Sequence, residues 1–111
     1  MAEGITRHIF ITGATGFIGS HFLKNLLNSI GVSDVIYVLS RQPESFDDPR
    51  IKNVIGTLEA IEACDNELLQ SNFVYHLAGE GSYNKAIDYD RINYEPTKKM
   101  VGILKNSRVL E

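Results

Sequence analysis

At 111 residues, with 43% hydrophobic and 23% charged side chains, the chain has the composition of one globular domain, with no room for a second. A net charge of -3 gives no basic field for a phosphate backbone, which argues against nucleic acid as a partner. Apolar runs such as Val35 to Leu39 fall far short of the roughly 18 residues of a membrane span, and no basic flank or cleavable apolar leader opens the chain, so a cytoplasmic protein without membrane contact is expected.

Short apolar runs alternate with segments of helical period, the pattern of a parallel sheet with crossover helices. The first strand reads Ile9 to Thr12. A helix follows in which Ile18, Phe22, Leu26, Leu27 and Ile30 recur at helical spacing before Gly31 stops it. The second strand is Val35 to Leu39. Residues Arg41 to Arg50, with Pro43 and Pro49, read as a loop leading to a third strand at Ile51 to Ile55. A helical segment from Glu59 to Gln70 turns Ile61, Cys64, Leu68 and Leu69 to the sheet, which makes Cys64 a packed, inert thiol. Phe73 to Leu77 is the fourth strand. A last helix is expected from about Asp88 to Lys105, with Ile92, Met100, Val101 and Leu104 on its buried face and a kink at Pro96; Asp88 and Asp90 suit its N-terminal dipole. Arg108 to Glu111 reads as the start of a fifth strand.

Thr12-Gly13-Ala14-Thr15-Gly16-Phe17-Ile18-Gly19 joins the first strand to the first helix. Gly13 permits the tight turn, Gly16 lets backbone amides approach a pyrophosphate, and Gly19 allows close packing of helix on sheet. The helix N-terminus adds free amides and partial positive charge for an anion. The site for the ribose lies at the end of the second strand, where an acidic residue would take both hydroxyls of NAD and an arginine would accommodate the 2′-phosphate of NADP. Here the strand ends Leu39-Ser40-Arg41, and Asp34 lies at its opposite end. NADP is therefore expected, NAD less so, although Arg41 would also fit a solvated loop position.

Thr12 to Gly19 resembles the TGxxGxxG turn of the short-chain dehydrogenase/reductase superfamily, and TGATGFIG is similar to its extended, epimerase/dehydratase branch. Val74-Tyr75-His76-Leu77-Ala78-Gly79 resembles that family's fourth strand, and Asn93-Tyr94-Glu95-Pro96-Thr97 its NxxGT segment with proline for glycine. The resemblance implies a single Rossmann domain over residues 1–111, of order 3-2-1-4 with a rudimentary fifth strand and helices on both faces. It implies a cofactor site of Gly13, Thr15, Gly16, Phe17, Ile18, Gly19, Ser40, Arg41, Leu58, Leu77, Ala78 and Gly79. Leu58 would pack on adenine, since Gly56-Thr57-Leu58 stands where the family commonly has an aspartate.

Tyr94 and Lys98 have the spacing of the family's catalytic pair but precede the fifth strand, whereas the family's catalytic residues follow it, so no catalytic residue is assigned. His76 reads as a hydrogen-bonded core histidine, and no cluster of metal ligands is evident. The resemblance thus implies the cofactor-binding portion of an oxidoreductase or a sugar-nucleotide epimerase or dehydratase, truncated before its catalytic and substrate-binding part and without turnover as an isolated chain. Two alternatives are a dinucleotide-sensing regulatory module and a domain that no longer binds a cofactor. An apolar fourth strand beside a mere stub would leave a sheet edge open to self-association.

Overall fold

A computed structural model describes residues 6–78 and 94–111. Four strands, β1 (His8–Thr12), β2 (Val35–Ser40), β3 (Ile51–Ile55) and β4 (Phe73–His76), form one parallel sheet in the order β3-β2-β1-β4. The anticipated strand order is the one observed, with β1 inside the sheet. Parallel strands require crossovers. α1 (Phe17–Leu27) supplies the one from β1 to β2, and a 3₁₀ turn at Ile61–Cys64 running into α2 (Asp65–Gln70) the one from β3 to β4; the connection from β2 to β3 is a loop, and a further helix, α3 (Glu95–Leu104), follows β4.

The alternation of side chains along β1 divides the core into two. Ile9 and Ile11 point to one face, where Leu23, Ile36 and Val38 join them under Phe22, Leu26 and Leu27 of α1. Phe10 points to the other, packed with Leu39, Ile61, Cys64, Leu68 and Met100 from β2, the 3₁₀ turn, α2 and α3. Each such fully buried aliphatic or aromatic side chain stabilises the fold by about 1.5–3 kcal/mol relative to exposure. The sheet is therefore sandwiched between helices on both faces.

The expected helix from Glu59 to Gln70 is two pieces, divided where Cys64 takes φ -104° and ψ 21°. The apolar spacing serves both: Ile61 and Cys64 lie three apart, as a 3₁₀ turn requires to share a face, and Cys64 and Leu68 four apart, as an α-helix requires. All three are buried, and burial pushes the Cys64 thiol up from its ordinary pKa. In α1, Ile18 is 72% exposed rather than inward-facing, because Gly19 and Leu23 occupy the face against the sheet. Pro96 stands in the first turn of α3 as described, where its missing amide hydrogen costs nothing; Gly79, Asp88, Asp90, Ile92 and Asn93 lie outside the described residues.

The fifth strand is reduced to one backbone hydrogen bond. Glu111 N–H donates to Asn72 O at 2.8 Å beside the start of β4, while the Asn72 amide donates to Val109 O at 3.0 Å. No residue from 105 to 111 joins the sheet.

Candidate functional site

The carboxyl ends of all four strands open into one cleft of about 590 Å³, within the size range of small-molecule and cofactor sites. One wall is the turn after β1. Gly13 has φ +80°, and a Cβ there would stand 2.5 Å from Ala78 N, so both the left-handed backbone and the contact with the chain after β4 demand glycine. At Gly19 a Cβ would come within 1.7 Å of Gly13 O; α1 can approach the turn only because that position is bare. Gly16 differs: its Cβ would meet only Gly13 O, at an ordinary 3.5 Å. The protein's own packing does not require glycine there, and Gly16 borders the cleft.

Gly16 also caps α1. Its backbone is extended, no side chain caps the helix, and the first turn contains no acidic residue. The opening amides of α1 therefore meet no competing carboxylate from their own turn, and the positive end of the helix dipole faces the Gly16 side of the cleft. Thr15 lines the cleft beside it. Phe17, Ile18 and Gly19 do not, with Phe17 80% exposed and stacked edge-on against His21.

Ser40, Arg41, Gln42 and Glu44 form the opposite end, where the chain leaves β2. Arg41 is exposed and has no hydrogen bond or ion pair among the described residues. Asp34, at the far end of β2, is buried and committed to structure: its carboxylate accepts from Arg7 N–H at 3.1 Å and Gly31 N–H at 2.8 Å. The loop's other end is fixed by Arg50, whose guanidinium hydrogen-bonds Asp48 and holds its carboxyl down to a pKa of about 2, while also reaching Ile30 O. Nearer the cleft, Asn53 of β3 donates to Val38 O at 3.0 Å and Ser40 Oγ at 2.6 Å and accepts from Glu44 N–H at 2.7 Å. Ser40 Oγ in turn donates to Gln42 O at 2.7 Å.

Gly56, Thr57, Leu58 and Glu59 close the side after β3, and Leu77 and Ala78 the side after β4. A polar relay ties this last segment down. Ala78 N–H donates to Thr12 Oγ1 at 3.2 Å, Thr12 hydrogen-bonds His76 Nδ1, and His76 Nε2 bonds Thr97 Oγ1 of α3 at 3.0 Å. If the Thr12 hydroxyl donates to Nδ1, the imidazole is neutral and protonated on Nε2, in keeping with burial, which pushes the His76 pKa below its ordinary value. Tyr94 is 58% exposed with Lys98 Nζ 6.0 Å from its ring centre, and neither residue lines the cleft. No group of metal-ligating residues occurs among the described residues.

The cleft thus brings together Gly13, Thr15, Gly16, Ser40, Arg41, Leu58, Leu77 and Ala78, drawn from all four strand ends. Sequence reasoning missed Gln42, Glu44 and Asn53. A lone asparagine in a strand and polar residues in a proline-bearing loop have no periodic signature; only their mutual hydrogen bonds reveal them.

Comparison with known proteins agrees with this architecture. The chain is 26% identical to the Bordetella bronchiseptica enzyme WbmH, solved in complex with NAD+, with a TM-score of 0.70 over 95% of this chain and 37% of that one. It is 22% identical to a thiolation-reductase di-domain from an archaeal non-ribosomal peptide synthetase, with a TM-score of 0.77 over 94% of this chain and 33% of that one. It is 51% identical over 37 residues to the nonribosomal peptide synthetase phqB of Penicillium fellutanum, a stretch covering 33% of this chain and 2% of that protein. The chain therefore spans only about a third of the solved relatives and a small part of phqB. Residues 9–108 match the NAD dependent epimerase/dehydratase family, and with its 3-2-1-4 sheet and glycine turn the chain belongs to that family, within the extended short-chain dehydrogenases/reductases.

Proposed function

We propose that the cleft binds a nicotinamide dinucleotide, NADP in preference to NAD, and that the protein of which this sequence forms part is an oxidoreductase. The observation that carries this reading is the division among the glycines: the packing demands Gly13 and Gly19, whereas at Gly16, which borders the cleft, it makes no such demand, as expected if glycine there serves a ligand. The pyrophosphate would rest on the Gly13–Gly16 turn against the opening amides of α1. Leu58 would pack on adenine, and Arg41, with no hydrogen bond or ion pair among the described residues, would meet the 2′-phosphate beside Ser40. Gly79, Phe17 and Ile18 belong to the same expected contact set through their backbone. When bound, such a cofactor supplies hydride transfer; the residues described here bind and orient it, and we assign none of them a catalytic role.

Titrating NADPH and NADH by calorimetry tests this. NADPH should bind more tightly, and Arg41→Ala should remove most of the difference, because a charge-assisted contact is worth about 1.5–3 kcal/mol. Equal affinities in the unaltered chain overturn the arginine assignment, and no binding of either overturns the cofactor reading.

Within the family, the identity to phqB and the likeness to the thiolation-reductase di-domain favour the reductase portion of a multidomain synthetase over a sugar-nucleotide epimerase. A thiolation domain encoded upstream would support that reading, and turnover of a sugar nucleotide by the full protein would end it. The β4 edge, paired among the described residues only through Asn72, is proposed to mediate self-association. Sedimentation showing a monomer at every concentration would refute it.

A further inference from the structure

We propose that Asn53 is a positioning residue for cofactor discrimination: through both ends of its amide it fixes the loop after β2 so that Arg41 is held at the ribose end of the cleft. This rests on the reading of Arg41 given above.

Asn53 is one step from the cleft and does not line it. Its amide is used at both ends. Val38 O can only accept and Glu44 N–H can only donate, so their contacts fix Nδ2 toward β2 and Oδ1 toward the loop. The second Nδ2 contact, at 2.6 Å, goes to Ser40 Oγ, and the Ser40 hydroxyl in turn donates a hydrogen bond to Gln42 O at 2.7 Å. Ser40, Gln42 and Glu44 are thereby tied, directly or through one hydroxyl, to a single side chain in the sheet.

Arg41 lies inside this laced segment and has no contact of its own among the described residues to hold it. The backbone on both sides of it is fixed while its side chain stays uncommitted. That arrangement lowers the cost of ordering the guanidinium on a ligand without spending its charge on a protein carboxylate. Asn53 therefore acts on whatever Arg41 binds, and not on the pyrophosphate, whose proposed seat, the Gly13–Gly16 turn, is at the other end of the cleft.

The test is calorimetric titration of NADPH, NADH and adenosine 2′,5′-bisphosphate against the unaltered chain, Asn53→Ala, Arg41→Ala and the double variant. Asn53→Ala should weaken NADPH and the bisphosphate at least fivefold and NADH less than twofold. In the Arg41→Ala background it should change NADPH binding less than twofold, since the residue it positions is gone. Equal weakening of NADPH and NADH by Asn53→Ala would show a general supporting role and overturn the inference, as would no change in either. If Arg41→Ala leaves the NADPH preference intact, the arginine reading fails separately; a loss of preference in Asn53→Ala would then keep the loop's role with another contact, and its retention would end both. Should Asn53→Ala not fold, Ser40→Ala, which removes the hydroxyl and with it both the contact from Asn53 Nδ2 and the link to Gln42 while leaving the contacts of Asn53 to Val38 and Glu44, is expected to shift the NADPH to NADH ratio in the same direction, and an unchanged ratio would count against the proposal.

Discussion

The two ends of the cleft are built by different means. At the turn after β1 the surface offered to a ligand is backbone, and its shape follows from where side chains are forbidden: Gly13 by its φ of +80°, Gly19 by a contact that would fall to 1.7 Å. At the loop after β2 the surface is side chains, held by an asparagine amide and a serine hydroxyl. The first end is welded into the core through Thr12, fully buried and bonded to both Ala78 and His76. The second is exposed from Arg41 through Ser45 and could be altered without disturbing the sheet. A dinucleotide site divided this way keeps what all such cofactors share in the rigid part and what distinguishes them in the adjustable part.

The largest effects should therefore come from the turn, and they should separate stability from binding. Gly19→Ala places a methyl group inside a backbone carbonyl, which no rotamer change relieves, and Gly13→Ala combines a left-handed backbone, costing about 1–2 kcal/mol, with a Cβ 2.5 Å from Ala78 N. Overpacking alone costs about 1–3 kcal/mol of the roughly 5–15 kcal/mol that hold a domain of this kind folded, so both variants should melt at a clearly lower temperature than the unaltered protein. Gly16→Ala should behave differently. Its φ of -77° suits any residue, its new contact is ordinary, and the loss of a glycine N-cap costs about 1 kcal/mol at most. It should melt within a few degrees of the unaltered protein, yet bind NADPH and NADH alike at least tenfold more weakly. Normal binding by Gly16→Ala, or a collapse of its fold, would break the division between the glycines.

The same contrast explains what could be read from sequence. The sheet covered on both faces is legible because β1 and β2 are continuous apolar runs separated by a segment of helical period, strand order because right-handed crossovers restrict it, and the glycine turn because conformational necessity restricts its residue types. Ile18 misled for a physical reason. Counting back four from Phe22 puts it on the inner face, but the position that actually faces the turn is Gly19, and a residue chosen for having no side chain leaves no mark in a hydrophobic pattern. Asn53 was illegible for the opposite reason: its role lies in three hydrogen bonds to residues 9 to 15 positions away, and nothing local in Lys52-Asn53-Val54 announces them.

The smallest expected effect concerns protons, and it too should distinguish the two ends. Burial holds the His76 pKa below the ordinary 6.5, so in the folded chain the ring resists protonation between Thr12 and Thr97, while in the unfolded chain it takes up a proton near 6.5. The unfolded state thus binds more protons once pH falls below about 6.5, and stability present above that value is lost as pH drops toward the folded-state pKa. Protonation would also put hydrogen on both ring nitrogens, so that the Thr12 hydroxyl could no longer donate to Nδ1 and the relay to Ala78 would have to rearrange. Urea unfolding without ligand, followed from pH 7.5 to pH 5.5, should show a shallow fall in stability that His76→Gln flattens and Arg41→Ala leaves unchanged. A His76→Gln variant with the same slope as the unaltered chain would mean that the turn is not proton-linked through this ring, and that its rigidity comes from the glycines alone.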